Sequence, residues 1–190
     1  RHRGTLVNSA TYKYAKTNHS RFDFGSGSAY INSGFDVNIA ATGYTLEFWF
    51  NGTSSSTDFI GSMHISSDGN TVFRIEHNNF ATGGVEFGTQ TAAGFHEERS
   101  SNFPNGSWHH CVCVYDPSNG LKAIYKNGSL DTSSTGHVQN WYNGATFRLA
   151  GRHDAAILPF QGEIGLWRIY TKPLSATEVQ QCYDATKWRF

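Results

Sequence analysis

The sequence predicts an all-β protein made of short antiparallel strands, and three observations support this prediction. The 190 residues include 14 Phe, 9 Tyr and 5 Trp, with 19 Ser and 17 Thr but only 8 Leu and 7 Glu. Aromatic and β-branched residues favour strands, whereas Leu and Glu favour helices. Apolar and polar residues alternate along many short segments, and turn residues, chiefly Gly and Asn, separate these segments. The length is typical of a single domain of this class.

The first clear strand covers residues 44–50. Side chains alternate between the two faces of a strand. The apolar residues of this segment therefore share one face: Tyr44, Leu46, Phe48 and Phe50. The same alternation predicts six further strands, at 71–77, 85–88, 108–115, 121–126, 147–150 and 162–170.

Turn residues stand between these strands. Asn127-Gly128 is the strongest signal, because a two-residue type I′ hairpin turn needs a positive φ at both positions. Residues 117–120 (Pro-Ser-Asn-Gly) and 68–70 (Asp-Gly-Asn) are less specific connectors of the same kind. The strand after 121–126 is therefore expected to return antiparallel to it.

One helix is predicted near the C-terminus. Ser175 stands at the N-cap and Glu178 at the third helical position, which together form a capping box. Leu174 and Val179 are placed to form the hydrophobic staple that accompanies it. Val179, Cys182 and Tyr183 then give one short apolar stripe that can pack on a sheet.

Four segments, taken in order, resemble one superfamily. They are 22–31 (Phe-Asp-Phe-Gly-Ser-Gly-Ser-Ala-Tyr-Ile), 44–50, 108–116 (beginning Trp-His-His) with 125–130, and 160–170 running into 173–179. Their order and spacing resemble a laminin G-like domain of the concanavalin A-like lectin/glucanase superfamily, over about residues 21–183. The resemblance implies a jelly-roll sandwich of two curved antiparallel sheets, with the whole chain, 1–190, as one domain.

Charge and hydropathy exclude two classes of partner. Fifteen basic and fifteen acidic side chains give a formal net charge of zero, which argues against a nucleic-acid binder. No apolar run approaches the ~18 residues of a membrane span, and no secretory signal opens the sequence. The chain starts Arg1-His2-Arg3-Gly4 without Met, so we expect a processed product or a piece of a longer chain or assembly.

The carboxylates do not show a catalytic pattern. Glycoside hydrolysis needs two carboxyl groups about 5 to 10 Å apart across the sugar bond. Members of the resembled superfamily that catalyse it carry Glu-x-Asp-x-x-Glu on one strand, and this chain has no such run. Glu97 and Glu98 are adjacent and point to opposite faces if extended. Three others are isolated on separate strands, where any of them could be a solvated position: Glu47, Glu86 and Glu163. The paired Gln/His and Tyr of lyases are not recognisable either. We therefore expect no enzyme, although acids of different strands could meet in space.

Two polar segments are candidates for glycan binding, which needs an exposed aromatic ring and hydrogen-bonding partners for hydroxyl groups. The first is Trp141, Tyr142 and Asn143, in a polar stretch outside the predicted strands. The second follows the 147–150 strand and could supply the polar partners: Arg152, His153 and Asp154. Segments 77–79 (His-Asn-Asn) and 96–97 (His-Glu) are weaker candidates. Alternatively, Trp141 and Tyr142 fold back over a sheet edge.

The resemblance also implies one structural calcium ion at a rim of the sandwich. Asp23 matches the early Asp that many relatives use. Gly165 stands where they often carry a second Asp, so the ligand set is incomplete. Asp23 is equally suited to capping a turn beside Gly25.

The three cysteines allow two interpretations. Cys111 and Cys113 lie two apart on one strand, so they share a face but cannot readily bond each other. They are either small buried hydrophobes or, with His109, part of a metal site that lacks a second ligand pair. Cys182 lies on the packing stripe of the helix as a third thiol. An odd cysteine count is not typical of a secreted disulfide framework.

Three functions compete on this basis. The first is a non-catalytic carbohydrate-recognition or adhesion domain that binds glycans through rim loops, outside the cell or on a particle surface. The second is a structural domain of a virion or a large surface assembly, with protein partners only. It is motivated by the missing Met, the thiols and the neutral charge. A polysaccharide hydrolase or lyase is the third and has the least support.

Overall fold

The protein is a sandwich of two antiparallel sheets with one C-terminal helix, as the sequence predicts. A computed structural model describes residues 4–7, 11–14, 20–25, 29–33, 35, 38–65, 71–78, 83–142, 144–152 and 158–190. Within these residues each sheet has seven strands. The architecture is the jelly roll expected from the resemblance.

The first sheet has the strand order β1-β4-β13-β6-β7-β8-β9. Its strands are, in that order, Gly4–Val7, Tyr30–Ser33, Thr146–Leu149, Asp58–His64, Thr71–His77, Gly84–Thr91 and Gly94–Asn102. The second sheet has the order β12-β11-β10-β5-β14-β3-β2. Its strands are Ser129–Ser134, Leu121–Lys126, His109–Asp116, Tyr44–Gly52, Gly162–Tyr170, Ser20–Gly25 and Thr11–Tyr14.

The main core lies between the two sheets and is rich in aromatic rings. The predicted inward face of β5 contributes Tyr44, Leu46, Phe48 and Phe50, all fully buried. Phe73 and Phe87 of the first sheet pack against Tyr44, with ring centroids 5.7 and 6.1 Å apart from it. Burying rings of this size is the main source of stability in such a core.

The C-terminal helix, α1, covers the outer face of the second sheet. It spans Ala176–Thr186 and is followed by a short 3-10 helix at Lys187–Arg189. The predicted capping box is present, since Ser175 and Glu178 exchange hydrogen bonds. Leu174 and Val179, the predicted staple, are both buried in a second apolar cluster beneath the helix. No helix among the described residues is long and apolar enough to cross a membrane.

The covering helix corrects one expectation from the sequence. Glu47 lies on the outer face of β5 but is fully buried. The Tyr170 hydroxyl donates to Glu47 Oε2 at 2.5 Å, and Arg168 donates to the same oxygen at 3.2 Å. His110 Nε2 is 3.4 Å from Glu47 Oε1. The expectation of a solvated Glu47 is therefore wrong, because alternation along a strand does not reveal what covers its outer face.

The β11–β12 hairpin also matches its prediction. Asn127 and Gly128 form its two-residue turn with φ of 50° and 84°, the pair of positive values that a type I′ turn requires. The predicted turn at 68–70 lies outside the described residues.

The edge strand β9 is capped by side chains of the second sheet. Lys122 Nζ donates to the His96 carbonyl at 2.8 Å, and Lys126 Nζ donates to the Asn102 carbonyl. The Ser101 N–H donates to the Asp131 carboxylate at 2.7 Å. These bonds satisfy backbone groups that an edge strand otherwise leaves unpaired.

Candidate ligand-binding site

A pocket of about 420 Å³ opens at one end of the first sheet. Residues 91–96, at the β8–β9 turn, form one wall and Gly136, His137 and Val138 form the other. We call it the hairpin pocket. Phe95, His96 and His137 give it aromatic faces, and Ala92 and Ala93 add small apolar ones. A mixed lining of rings and a few polar groups is typical of small-molecule sites.

The segment after the pocket is fixed by Gln139. Its side chain accepts from the Tyr44 hydroxyl at 2.8 Å and donates to the Val72 carbonyl at 2.7 Å. Its backbone N–H donates to the Tyr115 hydroxyl at 3.0 Å. All three partners belong to the core, so the wall formed by residues 136–138 is anchored to rigid structure on one side.

Trp141 and Tyr142 follow directly but are not among the residues that line the hairpin pocket. Both are half-buried and pack against the main core. The Tyr142 carbonyl accepts from Ala145 N at 3.3 Å, just before β13 begins. The two rings therefore rest partly on the core, as the alternative interpretation of the sequence described. Asn143, the third residue predicted in this segment, lies outside the described residues.

Arg152 lies elsewhere than its predicted partners. Trp141 and Tyr142 precede β13, whereas Arg152 follows it. The Arg152 guanidinium lies over the Phe59 ring, 5.8 Å from its centroid, and its charge acts on Glu76. Strand β13 thus separates the two halves of the site predicted from sequence. His153 and Asp154 lie outside the described residues.

The back of the hairpin pocket is a polar cluster between the edges of the two sheets. The His96 and His137 rings are stacked with centroids 3.4 Å apart. Lys122 Nζ lies 3.3 Å from His96 Nδ1. Burial lowers the pKa of Lys122 to about 7. Burial, followed by the charge of Lys122, also lowers the pKa of both imidazoles.

Hydrogen bonding assigns the proton on His137. The Ser134 hydroxyl donates its only proton to Glu98, which also accepts from Thr132 at 2.5 Å. His137 Nε2, 3.0 Å from the Ser134 oxygen, must therefore be the donor of that pair. This leaves His137 Nδ1 as the hydrogen-bond acceptor of the ring.

The outer face of the first sheet carries five charged residues, which we call the arginine–glutamate lattice: Arg74, Glu76, Glu86, Glu97 and Arg99. They come from three neighbouring strands, β7, β8 and β9. Glu76 is directly opposite Glu86, and Glu86 is opposite Arg99. Arg74 and Glu97 are both opposite Gly88.

The lattice brings together acids that the sequence presents as isolated. Burial raises the pKa of Glu76 to about 7, with Arg74 opposing the shift and Glu86 and Glu97 adding to it. Glu86 is only 4% exposed, so the expectation that it is solvated is wrong. No local motif could have revealed this cluster, because it depends on the register of three strands. Glu163, the remaining acid of that expectation, is half-buried and pairs with Arg21 at 2.8 Å.

Asp23, the residue predicted to bind calcium, caps a turn in this structure. Its carboxylate accepts from the Gly25 N–H at 2.8 Å, which is the turn-capping role. The Phe190 ring lies over Gly165, and an Asp side chain there would overlap it. Among the described residues, no three His, Cys, Asp or Glu side chains are arranged to hold a metal ion. Asp23 alone does not fit a calcium site, and the function proposed below does not depend on calcium.

The cysteines are free thiols. Cys111 and Cys113 are fully buried in the main core, on the same face of β10, as the hydrophobic interpretation expects. The neighbouring His109 instead has its Nε2 2.9 Å from the Pro104 carbonyl. Cys182 is half-buried under the helix, with its sulfur 3.7 Å from the Tyr170 hydroxyl.

Fold and site together define a β-sandwich domain with a small aromatic and polar pocket at the end of one sheet, an arrangement suited to recognition. The laminin G-type family model described as "Concanavalin A-like lectin/glucanases superfamily" matches residues 4–180. The chain belongs to this family. No curated protein matches the sequence.

Solved structures with the same fold include a pentraxin and the binding domains of botulinum neurotoxins. One is a heptameric SAP-like pentraxin from Limulus polyphemus, with a TM-score of 0.61 and 18% identity over 74% of this chain and 69% of that chain. Another is the binding domain of botulinum neurotoxin DC in complex with rat synaptotagmin II, with a TM-score of 0.73 and 12% identity. This likeness covers 97% of our chain but only 46% of the toxin domain. The binding domain of botulinum neurotoxin serotype D gives 0.72 and 14% over 97% and 47%. At these identities the likeness concerns the fold.

Proposed function

We propose that the chain is a non-catalytic recognition domain that binds a glycan in the hairpin pocket, outside the cell or on a particle surface. The observation that supports this most is the pocket itself. Phe95 and His137 both line it, and the His137 ring keeps one hydrogen-bond acceptor, Nδ1. Sugars are bound by such a combination of a ring for the apolar face and polar atoms for the hydroxyl groups.

The ion pairs of Glu76 and Glu86 also support a binding role without catalysis. Glu76 and Glu86 face each other, but the Arg74 side chain pairs with the first and Arg99 Nε lies 2.8 Å from the second. A glycosidase needs one carboxyl group free to protonate the leaving oxygen and another beside the sugar. Ion pairs on both acids oppose that use.

His137→Ala should weaken glycan binding about tenfold, because stacking and one hydrogen bond are lost together. The measurement is titration calorimetry with the oligosaccharide that binds best on a glycan array. Trp188→Ala is the matched control, since Trp188 is 65% exposed on the C-terminal 3-10 helix and lies outside the pocket. Equal affinities for the His137→Ala variant and the wild type, or a fully negative array, would reject the proposal.

Protein recognition is the second candidate. It is favoured by the likeness in fold to a toxin domain that is seen in complex with the protein synaptotagmin II. The negative glycan array described above, obtained with a correctly folded chain, would favour this candidate. It would then be tested by direct binding to purified surface proteins from the source.

A further inference from the structure

Two arginines of the lattice converge on one carboxylate. Arg74, on β7, reaches Glu97 Oε1 through its terminal Nη2, and Arg99, on β9, reaches Glu97 Oε2 at 2.7 Å through its own Nη2. Each carboxylate oxygen thus has its own guanidinium. Paired, charge-assisted bonds of this kind are the strongest that a carboxylate forms with protein groups.

Buried acids hold the two guanidiniums in place from behind. Arg74 Nε pairs with Glu76, and Arg99 Nε lies 2.8 Å from Glu86. Both acid side chains are only 5% exposed, so they are fixed by the sheet. Arg99 is therefore held at its Nε edge, and Arg74 is held by its ion pair with Glu76, while both Nη2 groups point to a common place. We call Arg74 and Arg99 the arginine clamp, and Glu76 and Glu86 are its positioning residues.

The clamp is continuous with the hairpin pocket through Phe95. Gly88 has no side chain, and the Phe95 ring lies over it. The Arg74 guanidinium is 3.9 Å from the centroid of that ring. Phe95 therefore lines the pocket and supports the clamp at the same time.

The clamp is open to solvent on its outer side. The Arg99 side chain is 54% exposed, that of Arg74 25% and that of Glu97 19%. The Glu97 side chain can rotate away from the two guanidiniums while each arginine keeps its ion pair with a buried acid, Glu76 or Glu86. The clamp then offers two terminal amino groups to an incoming carboxylate.

We infer that the arginine clamp binds the carboxylate of an acidic glycan of the uronate type. The neighbouring sugar of that glycan occupies the hairpin pocket. In the free protein the Glu97 carboxylate occupies the position of the ligand carboxylate. The inference rests on the proposed function and adds the class of sugar. The arrangement of Glu97 itself supports it, since a carboxylate already sits between the two guanidiniums with one oxygen on each.

The test compares an oligosaccharide containing glucuronate with the same oligosaccharide after reduction of its carboxyl groups. The wild type should bind the acidic form about 10- to 100-fold more tightly, the range expected for a charged hydrogen-bonded pair. Arg74→Met and Arg99→Met should each remove this preference, so that the acidic and reduced forms bind each variant equally. Arg21→Met, which breaks an ion pair on the other sheet, is the matched control.

Glu97→Gln provides the decisive variant. Because it removes the internal competitor at nearly constant shape, we expect it to bind the acidic form about three- to tenfold more tightly. Weaker binding by this variant would overturn the inference. A sulfated oligosaccharide that binds as tightly as the uronate form would also overturn it, because the clamp would then select charge alone.

The outcomes separate the inference from the proposed function. Equal binding of acidic and reduced forms rejects the clamp and keeps glycan recognition. If neither oligosaccharide binds, glycan recognition fails, and the clamp is tested alone by NMR of the arginine Nε–H signals in Glu97→Gln. Titration with glucuronate should shift the signals of Arg74 and Arg99 and glucose should not. Identical responses to both reject the clamp.

Discussion

Glu47→Leu should lower the free energy of unfolding by about 3 to 5 kcal/mol, the range for breaking a buried ion pair from one side. The carboxylate has three partners, Tyr170, Arg168 and His110, and the leucine leaves their polar groups without it beneath the helix. Chemical denaturation at pH 7 measures the effect.

At acidic pH, the loss of unfolding free energy in Glu47→Leu relative to the wild type should become smaller. Burial by itself would raise the pKa of Glu47, but hydrogen bonds from His110 and Tyr170 and the charge of Arg168 outweigh it and lower the pKa. A lowered folded pKa means stability that is present above the unfolded value, about 4.3, and lost as pH falls below it. The wild type and Glu47→Leu should therefore have similar free energies of unfolding below about pH 4.

Glu163→Leu is the control for Glu47→Leu. It replaces the same residue type on the neighbouring strand β14, where the pair with Arg21 is partly exposed. A pair of that kind contributes about 1 kcal/mol or less. Equal losses for Glu47→Leu and Glu163→Leu would contradict the special role of the buried network.

Lys122→Met should stabilise the protein at pH 7, by about 2 kcal/mol. The folded pKa of Lys122, about 7, shows that burial of its charge costs stability, and Met removes this cost. The lost hydrogen bond to the His96 carbonyl offsets part of the gain. The measurement is denaturant unfolding at pH 7, 8 and 9.

The pH dependence tests the cause. The folded pKa of Lys122 is about 7, below the unfolded value of roughly 10.4, so between these values the unfolded chain binds one more proton. Stability then rises with pH, by at most about 1.4 kcal/mol per unit. The wild type should show this rise and Lys122→Met should not. Lys126→Met, on the same strand, leaves Lys122 in place and should keep the rise. A rise that persists in Lys122→Met would assign it to other groups.

Short-range patterns predicted the parts of the fold that are determined locally. The type I′ turn at Asn127-Gly128 and the capping box of Ser175 and Glu178 each depend on a few neighbouring residues. The alternation at 44–50 was a correct guide to the inward face of β5. Each of these features would form in much the same way in another protein.

Seven of the fourteen described strands were not predicted from alternation, and in β6, β9 and β12 the surroundings conceal it. Strand β6, Asp58–His64, is buried throughout, so apolar and polar residues do not separate by face. Strands β9 and β12 are mostly polar, since both lie at sheet edges. What makes them strands is pairing with distant segments, which no short window of sequence contains.

The candidate site was predicted only in part for the same reason. Trp141 and Tyr142 come shortly after the wall of the hairpin pocket without lining it, and the arginine–glutamate lattice depends on the register of β7, β8 and β9. The Arg152 guanidinium lies over the Phe59 ring, a contact with a distant segment that proximity in sequence does not indicate.

The capped edge of β9 affects the tendency of the protein to aggregate at high concentration. The edge strand of an open sheet has unpaired N–H and C=O groups that can pair with a strand of a neighbouring molecule, and repeated pairing of this kind produces polymers. In this protein, a strand of another molecule would first have to displace the side chains of Lys122, Lys126 and Asp131 from the backbone of β9. The same strand carries Glu97 and Arg99, so the side of the molecule that offers charges to a ligand resists growth into a fibre.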